Sequence, residues 1–208
     1  MVTTTAPPEV SDPRSRLVSS AAELIHAGSY RAVGVKAICE KAGVKKGSFY
    51  YFFPSKEALV LDALDSIWEE FERDGLRASF DPGLAPRQRI EAMFDHAYQT
   101  HSRIRRRTGH VLGCPFGNLA AEASTLNEPI RDRVLMAFAE WTALIEETIE
   151  EALRAGELDP ALSAEATAWS LLGTLQGALL LSKAANDTGC IRVIGRETVE
   201  ALWGGAVA

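Results

Sequence analysis

Apolar residues recur along this chain at intervals of three and four and almost nowhere alternate with polar ones, so helices rather than strands are expected throughout. The first helix is expected over residues 13–27. Asp12 is a capping type, Pro13 suits a first turn, Leu17, Ala21, Leu24 and Ile25 make one apolar face, and Gly28 ends it. A second is expected over 35–42, with Val35, Ile38 and Ala42 inward and Gly34 at the cap. Gly43 follows where a tight turn calls for the left-handed conformation. A third, short and aromatic, covers about 46–52. Pro54 then restarts the chain as a long fourth helix with Leu64, Ile67, Trp68 and Phe71 at core spacing.

The segment FDPGLAP, residues 80–86, breaks this pattern. A fifth helix is expected over 87–107, carrying Ile90, Phe94, Ala97, Tyr98 and His101 along one side. The loop GHVLGCPFGN leads into a short helix near 116–123. Pro129 opens a seventh, to about residue 155, whose face of Ile130, Val134, Phe138, Trp141, Ile145, Ile149 and Leu153 keeps helical period throughout. An eighth is expected from Pro160 to about 185 and a ninth over 191–203. The fold class is therefore all-α with about nine helices. A disordered tail is expected over 1–12, a three-helix head over 13–60 and a helical body over 61–208.

Charge sharpens the division. The net charge of −6 argues against a general nucleic-acid coat. Residues 1–60 nevertheless carry 8 Lys/Arg against 5 Asp/Glu, a net of +3, whereas 61–208 carry 14 against 23, a net of −9. A DNA contact confined to one end fits that asymmetry. No apolar run approaches the ~20 residues that span a bilayer, so no membrane partner is expected. The first residues lack the basic-then-apolar pattern of a secretory signal. Cys39, Cys114 and Cys190 share no CxxC spacing and the four histidines no ligand spacing, so neither a metal nor another cofactor is expected, and a reducing cytoplasm is the natural setting. No nucleophile constellation points to an enzyme.

The string GVKAICEKAGVKKGSFYYFFPSKEAL, residues 34–59, reads as helix, tight turn, short aromatic helix and a proline-led exit, the layout of a helix-turn-helix. Its Gly-Val turn, Gly-Ser-aromatic-Tyr core and Phe-Pro-Ser-Lys exit occur in order and register, and over about residues 14–64 the chain resembles the TetR family of bacterial transcriptional regulators. The resemblance implies a homodimer of all-α subunits, each with a DNA-binding head and a body that binds a small ligand and dimerises. On this reading double-stranded operator DNA, a small-molecule inducer and a second copy of the chain are the partners. A repressor released from a palindromic operator is expected, with activator action left open.

Lys45 and Lys46 stand at the end of the short helix that approaches base edges, where a lysine serves guanine or phosphate equally. Gly47 lets the backbone come close, and Ser48 can cap or meet a phosphate. By resemblance Tyr50 donates to a phosphate and Lys56 anchors the same strand. Lys36 is placed for the backbone too, and Tyr51 and Phe52 face the groove, while Phe49 is expected in the core.

In the body, Phe94, Tyr98, His101, Phe116, Asn118, Phe138, Trp141, Trp169 and Gln176 are candidates for a mostly apolar ligand pocket fixed by a few hydrogen bonds. Arg103, Arg105, Arg106 and Arg107 end the fifth helix as a basic run that suits capping and solvation, or an anionic ligand. The stretch GCPFGNLAAE resembles a branch that includes sensors of electrophiles and oxidants, which implies an alternative in which Cys114 reacts and Lys183 faces it. Gly173 and Gly177 permit close helix approach, and Leu175, Leu179 and Leu180 supply apolar area. These five are candidates for a dimer interface, although the glycines fit packing within one subunit equally well.

Overall fold

A computed structural model describes residues 12–204. Of the expected disordered tail, residues 1–11 lie outside the described residues. Asp12 is the N-cap of α1 (Pro13–Ala27): its Oδ1 accepts from the amides of Arg14 at 2.7 Å and Ser15 at 3.2 Å, satisfying two donors that the first turn leaves over. α2 (Val35–Ala42) ends at Gly43 with φ +64°, and the amide of Val44 reaches back to the carbonyl of Cys39. This closes the tight turn into α3 (Lys46–Phe52). Leu17, Ala21, Ile38, Phe49 and Leu59 are fully buried and form the core of this first unit. Each large apolar side chain so buried contributes about 1.5–3 kcal/mol.

α4 (Lys56–Phe71) runs across the boundary between the chain's two compact units, which falls between Ser66 and Ile67. It continues without a break as a π-helical turn (Glu72–Leu76) and a last α-helical turn (Arg77–Ser79). The sequence carries no sign of that π-helical turn. Its Gly75 is the residue that lets the helix carrying His96 approach: a Cβ there would lie 2.6 Å from Nε2 of His96.

The second unit is built from α5 (Pro86–Thr108), α6 (Pro115–Ala123), α7 (Glu128–Arg154), α8 (Ala164–Ala185) and α9 (Gly189–Gly204). α8 packs against α7 and α9, α9 also against α5, and α6 lies on α7. Nine helical runs without a strand make up the described residues. α8 starts later than its sequence suggests. Pro160 sits in a turn, and Ser163 is the N-cap, its hydroxyl accepting from the amide of Ala166. The expected break at 80–86 is an ordered loop wrapped on Arg89, whose side chain is 6% exposed. The guanidinium donates to the carbonyls of Asp81, Pro82 and Leu84 and pairs with Glu151 at 2.6 Å.

Candidate functional site

α3 is split by its own periodicity. Phe49 points inward at 0% exposure and stacks edge-on against Tyr50, with ring centroids 5.1 Å apart. Tyr50 and Tyr51 are 59% and 85% exposed, far more than such rings usually are. Lys45, Lys46, Gly47 and Ser48 precede them on the surface, and Lys45 occupies the N-cap position. Tyr51 and the half-buried Phe52 border an open groove of about 560 Å³ together with Lys45, Gly47, Ser48 and Arg16. Arg16 is absent from the sequence-derived contacts, yet its Nε donates to the carbonyl of Ala42 at 3.0 Å, which holds it beside the turn. Lys36 is exposed and makes only a loose 3.7 Å pair with Glu40 one helical turn on. Such exposed pairs contribute little and yield readily to a phosphate.

Lys56 is already engaged within the head. Its Nζ donates to the backbone carbonyls of Tyr30 and Val33, the latter at 2.9 Å, and sits 4.2 Å from the centre of the Tyr30 ring. The ammonium thus ties the start of α4 to the α1–α2 loop, a role beside the phosphate anchor that the resemblance implies. Cys39 is buried against the head's core, and burial pushes its thiol pKa up.

Of the ligand candidates in the body, the structure brings Phe116 and Trp141 into one aromatic cluster. Trp68 meets Phe116 edge-on at 5.7 Å and Phe71 at 5.7 Å, and Phe71 meets Trp141 at 4.6 Å and His96 at 6.3 Å. Trp68, Phe71 and His96 were not among the sequence-derived site residues: the first two sit at ordinary core spacing, and His96 lies off the apolar face read for its helix. Burial and the charge of Arg103 hold the His96 pKa below its ordinary value against the pull of Asp74. The indole N–H of Trp141, 4% exposed, has no hydrogen-bond partner among the described residues. Phe94 is buried under Gly195 of α9, His101 is buried, and Phe138 is half-buried. Trp169 is 45% exposed on α8 and faces outward, which removes it from an interior pocket.

Around Cys114 the polar candidates are already engaged. Asn118 donates to the carbonyl of Leu112 at 2.9 Å and accepts from Lys183 Nζ at 3.0 Å. Gln176 donates to Cys114 Sγ at 3.5 Å, and the amide of Gly117 does so at 3.4 Å. Lys183 does lie at this corner, its methylenes against Gly113, but its ammonium is bound to Asn118. Cys114 is 8% exposed, and burial outweighs the two donors and pushes its thiol pKa up, away from a reactive thiolate.

The dimer candidates divide. Leu175 and Leu179 are 0% and 3% exposed and fill their own subunit's core, so they offer no area to a partner. Leu180 is 66% exposed, and a Cβ at Gly173 or Gly177 would meet nothing within 4 Å, so neither glycine serves close packing within the subunit.

Comparison with known proteins decides the family. Residues 17–63 match the model of bacterial regulatory proteins of the tetR family, and residues 86–197 that of the tetracyclin repressor-like C-terminal domain. The chain belongs to the TetR family. It is 29% identical to the HTH-type transcriptional regulator LmrA of Bacillus subtilis, covering 85% of this chain and 89% of that one. It is 28% identical to the HTH-type transcriptional repressor DhaR of a Mycobacterium species, covering 82% of each. The crystal structure of a regulatory protein TetR from Rhodobacter sphaeroides superposes with a TM-score of 0.82 at 26% identity, over 91% of this chain and 98% of that one. This TetR-family chain is accordingly a DNA-binding, ligand-responsive transcriptional regulator and not an enzyme. Among the described residues no helix is long and apolar enough to cross a membrane.

Proposed function

We propose that this chain is a cytoplasmic, homodimeric repressor that holds a palindromic operator through α3 and is released by a small, mostly apolar or aromatic ligand bound in the body. The observation that carries the DNA end is the exposure of Tyr50 and Tyr51 on a helix anchored from below by Phe49, beside Lys45 and Lys46. Rings and hydroxyls left in water at the surface gain most where a groove or phosphate covers them. Lys36, Gly47, Ser48, Phe52 and Arg16 complete the surface, and Lys56 acts through the position it gives the α1–α2 loop.

The outward stripe of Trp169, Gly173, Gly177 and Leu180 on α8 supports pairing of two copies. A shared two-fold axis would set two heads about one DNA turn apart or a multiple of it. The aromatic cluster of Trp68, Phe71, Phe116 and Trp141 supports an uncharged aromatic ligand. The unpartnered indole N–H of Trp141 calls for a hydrogen-bond acceptor on that ligand, because a buried donor without a partner costs about 1–3 kcal/mol. A ligand that favours the DNA-free conformation then shifts the equilibrium by its differential affinity.

Genome-wide capture of DNA fragments by the purified protein tests this reading. Enrichment of a palindromic site, occupied by two chains and lost with Tyr51→Ala, is the expected result. Absence of any enriched site at low salt overturns it.

A further inference from the structure

The second unit carries a basic cavity that shares no lining residue with the aromatic cluster. A solvent-facing hollow of about 460 Å³ opens at the C-terminal end of α5, lined by Tyr98, Ser102, Arg105, Arg106, Gly109 and Thr188. The ordinary task of arginines at such a helix end is to meet the last carbonyls. Here other donors meet the carbonyls of Ile104 and Arg105, and that of Gly109 just beyond the helix: Thr108 Oγ1 donates to the first, the Gly109 amide to the second and Asn186 Nδ2 to the third. Asn186, in the left-handed conformation after α8, also accepts from the amide of Val111 and so ties the segment after Gly109 to the end of α8.

Neither lining guanidinium is held by a close carboxylate among the described residues. Arg106 has no carboxylate partner among the described residues. Among the described residues Arg105 has only Asp187 at 3.6 Å, a loose pair with both side chains well exposed. A third guanidinium, Arg192, stacks 3.9 Å from the centre of the Tyr98 ring, so positive charge also backs the wall that Tyr98 forms. The floor is polar as well: Ser102 and Thr188 share one hydrogen bond of 3.0 Å between their hydroxyls, with Thr188 only 5% exposed. That bond uses one of the two hydroxyl protons, and the other is available to an acceptor in the cavity.

We propose that this cavity binds a small oxyanion, carboxylate or phosphate, between Arg105 and Arg106 with the Ser102–Thr188 pair beneath it. The planar fork of a guanidinium matches either group with two parallel hydrogen bonds. Nothing in this assignment depends on the operator or on the aromatic ligand. In a body of net charge −9 over residues 61–208, the site concentrates cations where an anionic metabolite, or the charged end of a larger one, is drawn in.

Isothermal titration of the full chain with inorganic phosphate, pyrophosphate and succinate, at ionic strength held constant with chloride, tests the proposal. One saturable site per chain is expected, and whether the phosphates or succinate binds more tightly separates the two sources. Arg106→Gln is expected to weaken binding by about tenfold or more, the loss of a charge-assisted contact. Arg107→Gln, outside the lining, leaves it unchanged, and Asp187→Asn tightens it by removing the competing carboxylate. Absence of saturable heat with all three probes overturns the assignment, and so does an affinity that Arg106→Gln and Arg107→Gln reduce equally.

Discussion

Lys56→Ala separates two roles that one lysine can play in a DNA-binding head. The side chain is half-buried, and its Nζ holds the carbonyls of Tyr30 and Val33 and lies over the Tyr30 ring. Hydrogen bonds to a charged group contribute about 1.5–3 kcal/mol each, and an exposed cation–π contact about 0.5–1 kcal/mol. Water replaces part of this once the side chain is gone, because the site is half open, so removal should cost about 2–3 kcal/mol of head stability. The cost arises from a link between residues 23 and 26 positions apart in the chain.

Urea unfolding of the full chain reads the stability term. Titration of any duplex DNA at several salt concentrations reads the phosphate term, because each neutralised phosphate adds about 0.9 to the slope of log K against log salt. Lys46→Ala is the reference: it is expected to lower that slope by about 0.9 while leaving the unfolding midpoint in place. Lys56→Ala is expected to do the reverse, shifting the midpoint and leaving the slope unchanged where the head remains folded. A slope that falls as far as for Lys46→Ala, with no change in midpoint, refutes the clamp and returns Lys56 to the phosphate contacts.

Gly195→Ala places a Cβ about 2.6 Å from Cγ of Phe94, so it should cost about 1–3 kcal/mol by overpacking α5 against α9. Gly173→Ala, which meets nothing, should leave the fold of the subunit intact, and equal thermal midpoints for the two variants would refute the packing argument. Arg89→Met strips a buried guanidinium from three loop carbonyls and Glu151 and should cost about 3 kcal/mol, read as faster amide exchange across residues 80–85. His96 has its pKa depressed in the folded chain, so the unfolded chain binds more protons between the folded and the ordinary value. Stability should therefore fall as pH drops from above about 6.5 through the folded pKa, and His96→Gln should flatten that slope. The buried thiol of Cys114 should react with iodoacetamide far more slowly at neutral pH than the same thiol in urea; equal rates would restore the electrophile-sensing alternative.

What the sequence discloses follows how locally each feature is encoded. The ends of α1, α2 and α3 were legible because their signals sit within a few residues of the ends they mark: Asp12 beside Pro13, Gly43 at a left-handed turn. The inward Phe49 and outward Tyr51 were legible for the same reason, since a short helix sorts neighbours onto opposite sides. The π-helical turn left no trace, because a change of hydrogen-bond register needs only one extra residue per turn. Its necessity shows in Gly75 against His96, 21 positions on. Pro160 was misread as a helix start because proline suits a turn equally well, and the local signal that decides is the capping hydroxyl of Ser163.

Chemistry that depends on distant partners was the part that spacing could not reach. Leu175 and Leu180 both lie on helical faces of α8, and only the packing of α7 and α9 makes the first core and the second surface. Trp141 and Trp169 differ in the same way, one in the aromatic cluster and one in water. The arginine run at the end of α5 is a sharper case. Read alone it caps a helix, whereas in the fold Asn186, 77 positions beyond Gly109, supplies a further donor just past the same end. Asn186 sits there because α8 ends on it in a left-handed turn. A residue's chemistry in this body is set by which groups the fold has already satisfied around it. Lys183, whose ammonium goes to Asn118 rather than to Cys114, obeys the same rule.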